Sequence, residues 1–304
     1  MIFNKTLKKD SNIIDKKTKR KVILIIGMAR SGTSMLGGIL SSLGVYFGKN
    51  LAEPSSMNKK GFFENKEIVR INDQILLDLG AGWPNPFPFP FGWSSSSTAA
   101  AYEEKIEKLL KSEFQGRAIY GVKDPTITRL LPLWAHLLEK IEDDPLYIQI
   151  IRDPYEVYAS MAYGQGAGKG IKPEQACLLW LRHNLEGEKY TQWKKRIFIK
   201  YDALLENPTK MIKIIAEFCE IIISDETLQK TVHFIDTSMK HYHSASAPVT
   251  FAHPFSLWAS HVYSAFPKIG TEINTPVLEE VNTEIEKLDR INFLSGLYNH
   301  QYKQ

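Results

Sequence analysis

One segment stands out in the chain: Val22-Ile-Leu-Ile-Ile-Gly-Met-Ala-Arg-Ser-Gly-Thr-Ser34. Its first five residues are apolar and mostly β-branched, which predicts a strand buried on both faces of a parallel sheet. From Thr33 onward apolar residues recur with helical spacing until Gly44, which predicts a helix that begins directly after the turn. A strand, a tight turn and a helix N-terminus in this order bring several backbone N–H groups to one spot. The segment therefore predicts an anion site.

The glycines of this turn, Gly27 and Gly32, have the spacing of a P-loop, but the loop ends differently. A nucleotide triphosphatase needs Lys directly after the second glycine, followed by Ser or Thr for magnesium. Here Thr33 stands in place of that Lys, and the cation lies inside the turn at Arg30. The loop therefore predicts a phosphate cradle that does not hold a γ-phosphate through Lys and magnesium.

Composition sets broad limits on function. A formal net charge of +4 over 304 residues suits an anionic small molecule but is far from a nucleic-acid signature. Cys177 and Cys219 are too few for a disulfide framework or a metal cluster, so we expect no metal. We find no apolar run near the roughly 18 residues of a membrane span. We also find no signal-peptide pattern, so a cytoplasmic location is the expectation.

Strand-like and helical patterns alternate along the chain. After the first strand, further strand-like runs lie at 118–122, 146–151 and 196–199. This alternation predicts a three-layer α/β fold, with a mainly parallel sheet flanked by helices on both faces. We expect a basic flexible arm over 1–20. We expect residues 21–304 to form a single domain, in which 244–304 is a mostly helical extension.

Charged and polar residues follow the four predicted strands where each strand ends. In parallel sheets ligands bind at the carboxyl ends of the strands, so these residues are predicted to meet at one rim. They are Arg30, Lys123, Asp124, Arg152, Tyr201 and Asp202.

A second phosphate-binding pair is predicted at Arg152 and Ser160. Pro154 suits the first turn of a helix, which puts Arg152 just before that helix and Ser160 about two turns along it. A guanidinium gives bidentate contacts to phosphate, and a hydroxyl can add a third contact. The alternative is an ion pair between Arg152 and Asp153 that only ties down the helix start.

These motifs resemble those of one enzyme family. Arg30-Ser-Gly-Thr33 is similar to the 5′-phosphosulfate loop of sulfotransferases, and Arg152 with Ser160 matches the spacing with which they hold a 3′-phosphate. The resemblance covers roughly 21–243 and points to bacterial-type sulfotransferases that use 3′-phosphoadenosine 5′-phosphosulfate (PAPS). Weaker similarities lie at Gly61-Phe-Phe-Glu-Asn65, Val122-Lys-Asp-Pro125, Leu179-Trp-Leu-Arg-His-Asn184 and Lys200-Tyr-Asp-Ala-Leu-Leu205.

The resemblance implies a P-loop-type sulfotransferase fold and a reaction. A sulfuryl group would pass from PAPS to a hydroxyl or amine of a small molecule or glycan, without a metal. Arg30 would lie near the leaving oxygen, Lys123 near the sulfuryl oxygens and Tyr201 near the adenine. The implied donor-binding residues are Arg30, Ser31, Gly32, Thr33, Ser34, Arg152, Ser160 and Tyr201.

The acceptor must lose a proton, so a general base is expected within hydrogen-bond reach. Cytosolic animal sulfotransferases use a His shortly after the Lys-containing strand, but Asp124 follows Lys123 here and the next His is His136. Carbohydrate and protein-tyrosine sulfotransferases use a Glu instead. Glu64 is therefore the first candidate and Asp124 the second. For both residues the alternative is a helix-capping role.

Two other functions stay open at this point, a P-loop kinase and a non-catalytic nucleotide-binding protein. Two loops near the rim also have two interpretations each. The glycine-rich segment 164–170 is either a lid or a passive connector. The aromatic and proline-rich segment 80–93, together with the helix around Trp180, either packs on the body or lines the acceptor pocket.

Overall fold

The protein is described from a computed structural model that covers residues 19–55, 58, 60–141, 143–164, 168–235 and 253–301, with side chains to residue 291. Most of the predicted arm at 1–20 lies outside the described residues, and so do 165–167 of the predicted glycine-rich loop. The proposed division of the chain into arm and domain stays a prediction.

The core of the described chain is a five-stranded sheet in the order β2-β1-β3-β4-β5. Four strands are parallel, and the last is antiparallel to β4. The predicted mainly parallel sheet is confirmed. The strands are β1 (Lys21–Ile26), β2 (Ile119–Lys123), β3 (Asp144–Ile151), β4 (Arg196–Lys200) and β5 (Ile269–Gly270).

Helices cover both faces of the sheet, which gives the three layers. Alternate residues of β1 face opposite layers: Ile23 and Ile25 pack with α1, α8 and α9, whereas Val22 and Leu24 pack with α2, α3 and α4. A third apolar cluster joins α5, α6, α10 and α11 beyond the strand ends. In chain order the helices are α1 (Thr33–Ser42), α2 (Lys66–Asp78), α3 (Ser97–Glu113), α4 (Leu131–Lys140), α5 (Pro154–Ala162), α6 (Pro173–Thr191), α7 (Tyr201–Glu206), α8 (Pro208–Phe218), α9 (Asp225–Phe234), α10 (Pro254–Ala265) and α11 (Thr275–Gln301).

The chain departs from the sequence prediction after β2. The spacing of apolar residues predicts a single helix over 126–141, but a 3-10 helix at Pro125–Thr128 precedes α4. Pro132 lies at the start of α4, and a proline inside a continuous helix would lose one backbone hydrogen bond. This break separates the 3-10 helix, which lies next to the site, from the packing helix α4. The sequence pattern did not predict α7 or the short strand β5, whereas α10 lies within the part 244–304 that is predicted to be mostly helical.

The strand order locates the binding crevice. From β1 the chain crosses to β2 on one side, and from β2 it returns past β1 to β3 on the other side. In sheets of this kind ligands bind where the strand order reverses, outside the carboxyl ends of the strands. That position lies between the ends of β1 and β3. Among the described helices none is long and apolar enough to cross a membrane.

Candidate active site

The β1–α1 loop is held by close packing at both of its glycines. Gly27 donates its N–H to Thr128 Oγ1 at 2.9 Å, which ties the loop to the 3-10 helix. Gly32 has φ 97°, and a Cβ there would lie 2.4 Å from a ring carbon of Tyr201. Only glycine fits that conformation without displacing the ring. Arg30 also has a positive φ, 69°, a backbone strain of the kind that is concentrated at functional sites.

The loop offers unused hydrogen-bonding groups to an anion. The backbone N–H groups in the first turn of α1 have no intrahelical acceptors, as in any helix. Gly32 at the N-cap makes no side-chain hydrogen bond that would satisfy them. The hydroxyl of Ser31 is buried and has no hydrogen-bond partner among the described residues. Burying a hydroxyl unpaired is unfavourable. Both features fit a phosphate group bound at this loop.

The two predicted arginines meet at the crevice between β1 and β3. Arg152 Nη1 donates to the carbonyl oxygen of Arg30 at 3.3 Å. Arg30 Nε donates to Ser160 Oγ at 2.9 Å. Arg30 of the loop thus lies directly beside Arg152 and Ser160, the predicted second phosphate-binding pair.

Buried groups hold Arg152 in place. Its Nε donates to Glu156 Oε2 at 2.9 Å, and its guanidinium lies 4.5 Å from the centre of the Tyr201 ring. Asp153, the partner considered from the sequence, instead caps α5 by accepting from the N–H groups of Tyr155 and Glu156. The sequence analysis missed Glu156. Its spacing of four residues from Arg152 was the available signal.

Lys123 and Glu64 form a buried ion pair next to the loop. Lys123 is 3% exposed, and its Nζ also donates to Ser34 Oγ at 3.2 Å. Lys123 is therefore a buried cation at the end of β2 and not a surface lysine. The contact brings the end of β2 and the start of α1 together around one cation.

Glu64 is not the cap of α2. Asn65 fills that role, because its side chain accepts from the N–H groups of Glu67 and Ile68. Burial raises the pKa of the Glu64 carboxyl above the ordinary glutamate value, and the positive charge of Lys123 opposes that rise. Glu64 is therefore a stronger base than an exposed glutamate, in a position where a cation favours its ionised form.

Asp124 is engaged in structural hydrogen bonds. Its carboxylate accepts from the N–H of Thr126 at 3.0 Å, from Thr126 Oγ1 at 2.7 Å and from Asn72 Nδ2 at 2.8 Å. It caps the 3-10 helix and is 3% exposed. The capping role considered from the sequence is the one that the geometry displays. Asn72, which the sequence did not single out, also accepts from Trp134 Nε1 at 3.1 Å.

Tyr201 forms the back wall of the loop. It is 4% exposed, with its ring edge against Gly32 and one face under the Arg152 guanidinium. These contacts position the loop. The predicted contact with adenine stays a prediction.

On the other side of Asp124 the aromatic segment 80–93 borders a cavity. The cavity is small in this structure, with a volume of about 20 Å³. Trp180 does not line it: the ring is fully buried, and its Nε1 donates to the carbonyl of Arg152 at 2.9 Å. The apolar and polar lining includes Leu76, Trp83, Phe89, Thr126, Leu179 and His183.

His183 is a neutral side chain in this wall. Its Nδ1 lies 2.9 Å from the carbonyl oxygen of Leu179, so Nδ1 carries the proton and donates. Burial and the nearby charge of Arg129 lower the pKa of His183 to about 3. Within the described parts of the chain, no group of His, Cys, Asp or Glu side chains is arranged to hold a metal ion.

Comparison with known proteins identifies the family. The sequence model of the sulfotransferase domain matches residues 20–248, which is more than half of the chain. The chain belongs to this family, and the prediction of a sulfotransferase is confirmed. No curated protein sequence matches it.

Solved structures with a similar arrangement include two sulfotransferase domains. One comes from the Synechococcus PCC 7002 olefin synthase, with 16% identity over 89% of this chain and 96% of that chain and a TM-score of 0.45. Another comes from the curacin biosynthetic pathway, with 12% identity over 88% of this chain and 98% of that chain and a TM-score of 0.45. Sulfotransferase STF1 from Mycobacterium tuberculosis H37Rv has 14% identity over 70% of this chain and 71% of that chain, with a TM-score of 0.41.

Proposed function

We propose that this sulfotransferase takes the sulfuryl group from PAPS and transfers it to a hydroxyl or amine of a small molecule or glycan, with Glu64 as the general base. One observation carries the proposal. Arg30 of the loop after β1 and Arg152 at the end of the adjacent β3 lie in contact, and the loop has unused anion-binding groups. A donor with two separate phosphate positions matches that arrangement.

The donor would be held from two sides. The 5′-phosphosulfate end would be bound by the first-turn N–H groups of α1, by the hydroxyls of Ser31, Thr33 and Ser34, and by Arg30. Arg152 and Ser160 would bind the 3′-phosphate. The bond between Arg30 and Ser160 supports this assignment, because a single donor molecule could contact both residues.

The residues around Lys123 would carry out the proton transfer. Glu64 accepts the proton of the acceptor as its oxygen or nitrogen forms a bond to sulfur. The bond from sulfur to the bridging phosphate oxygen breaks, and Arg30 stabilises the negative charge that develops on that oxygen. Lys123 holds Glu64 in its ionised form and steadies the sulfuryl oxygens. The donor supplies the sulfuryl group.

Glu64 is preferred to Asp124 as the base because of their different hydrogen bonds. Asp124 already accepts three hydrogen bonds from protein groups, including one from a backbone N–H. Its oxygens are therefore already engaged in holding the 3-10 helix and Asn72 in place. Glu64 has a raised pKa and is less buried.

A thermal-shift comparison of two nucleotides tests this function against the kinase alternative. A ligand that binds only the native state raises the melting temperature by mass action. We expect adenosine 3′,5′-bisphosphate to raise the melting temperature, and ATP with magnesium to raise it less. A larger rise with ATP and magnesium would contradict the proposal. The non-catalytic alternative is excluded if labelled sulfuryl transfer is detected and Glu64→Gln removes it.

A further inference from the structure

Three successive backbone carbonyls of the aromatic segment point inward to two buried arginines. Arg129 donates to the carbonyl oxygens of Asn85 at 2.9 Å and Phe87 at 2.8 Å. Arg182 donates from Nε to the carbonyl oxygen of Pro86, between them, at 3.0 Å. The guanidinium of Arg129 also lies 4.7 Å from the centre of the Phe89 ring.

The sequence of the segment explains why it needs these donors. Prolines at 84, 86 and 88 have no N–H group, so the segment cannot pair with itself or with a strand in a regular ladder. Its carbonyls must still find donors where they are shielded from water. The two arginines are 4% and 8% exposed, and they supply donors in a fixed fork.

Carboxylates from two helices fix the arginines in turn. Arg129 Nε donates to Glu186 Oε2 on α6 at 2.7 Å. Arg182 pairs with Asp289 on α11. We call Arg129 and Arg182, with their bonds to the carbonyls of 85–87, the arginine clamp. Arg129 directly follows the 3-10 helix that Asp124 caps, so the clamp connects the aromatic segment to the candidate site. By contrast, α11 lies beyond the part of the chain that the family model matches, which ends at residue 248.

We propose that Arg129 and Arg182 are positioning residues that set the acceptor-side wall, and that α11 controls this wall through Asp289. The proposal rests on the proposed function in one respect: the cavity beside this segment is taken as the acceptor side of the cleft. The clamp predicts that a change on α11 is felt in the segment 82–89 and not at the donor loop.

Hydrogen exchange measured by mass spectrometry on the full chain tests this coupling. The reporters are the backbone amides of Asn85 and Phe87, which donate to Gly82 O at 2.7 Å and to Asn85 Oδ1 at 2.8 Å. Asp289→Asn removes the charge that holds Arg182. We expect exchange in peptides covering 82–89 to become roughly tenfold faster. Losing a hydrogen bond to a charged group shifts a local opening equilibrium by about that factor or more.

The chain offers a matched control on the same two helices. Glu286 of α11 pairs with Lys189 of α6 at 3.7 Å on the exposed surface. Glu286→Gln should leave the exchange of 82–89 unchanged. Asp289→Glu, which keeps the charge, should restore most of the protection. If a general loosening of α11 were responsible, Glu286→Gln and Asp289→Asn would act alike.

Arg182→Ala gives a second, stronger variant. It leaves the Pro86 carbonyl without its donor and should speed exchange in 82–89 at least as much as Asp289→Asn. The clamp is overturned if Asp289→Asn leaves exchange in 82–89 at the wild-type rate, or if Asp289→Glu fails to restore it.

Affinity for adenosine 3′,5′-bisphosphate, measured on the same samples, keeps the two proposals apart. Wild-type affinity with faster exchange supports the clamp. Absence of binding in the wild type would contradict the proposed function and not the coupling.

Discussion

The proposed donor side and the proposed acceptor side of the cleft are held by different kinds of interaction. At the donor side the shape comes from consecutive residues: β1, the glycine turn and the first turn of α1. At the acceptor side a proline-rich segment is held by side chains that lie 42 to 96 residues away in the sequence. The first kind of site follows from a local pattern, whereas the second depends on which distant side chains meet.

The largest expected effect lies on the donor side. Arg30→Ala should lower turnover about 10³-fold, because it removes the cation that stabilises the leaving oxygen. The measurement is the rate of sulfuryl transfer from labelled PAPS. Arg70→Ala, which breaks only an exposed pair with Glu67, should keep the wild-type rate. A normal rate for Arg30→Ala would refute the donor-side assignment.

The next effect distinguishes the two carboxylates at the boundary of the two sides. Glu64→Gln should lower kcat about 10²-fold or more through loss of the general base. Asp124→Asn should mainly lower stability, by about 1–3 kcal/mol, because it disturbs the hydrogen bonds with Thr126 and Asn72. Steady-state kinetics and chemical denaturation check both. A greater loss of kcat in Asp124→Asn than in Glu64→Gln would make Asp124 the base.

A smaller effect is expected for stability on the acceptor side. The pKa of His183, about 3, lies below the ordinary value of about 6.5, so the unfolded chain binds a proton more readily than the folded chain. The contribution to stability is complete above about pH 6.5 and shrinks as the pH falls towards 3. Relative to His183→Asn, the free energy of unfolding of the wild type should be lower at pH 4 than at pH 7 by about 3 kcal/mol. Denaturant titrations at both pH values measure this change, and a pH-independent difference would contradict the neutral, buried state of His183.

The smallest effect is a shift in the pH profile. Lys123 opposes the rise in the pKa of Glu64, so Lys123→Met should raise that pKa further. A general base must be deprotonated, and the acid limb of kcat/KM should therefore move to higher pH in the variant. Pre-steady-state or steady-state profiles between pH 4 and 8, run with Lys66→Met as a control, test this. An unmoved limb would show that Glu64 is not the group that titrates.

The same contrast explains what the sequence could predict. Arg30 lies in the turn after β1, Lys123 ends β2 and Arg152 directly follows β3. Parallel strands place such residues at one rim, so their convergence could be predicted. The contact between Glu64 and Lys123 joins residues 59 apart and follows no local pattern. The clamp on Pro86 likewise needed α6 and α11 to be placed first. The break before α4 was visible in Pro132, but the helical spacing of the apolar residues obscured it.

The most direct test of the central claim compares two nucleotides that differ only in the 3′-phosphate. Titration calorimetry with adenosine 3′,5′-bisphosphate and adenosine 5′-monophosphate isolates the contribution of Arg152 and Ser160. The wild type should prefer the bisphosphate by roughly 10- to 100-fold, as expected for hydrogen bonds between charged groups. Arg152→Lys, which keeps a cation for Glu156 but loses the fork, should lose most of that preference. Equal affinities in the wild type, or an unchanged preference in Arg152→Lys, would contradict the account.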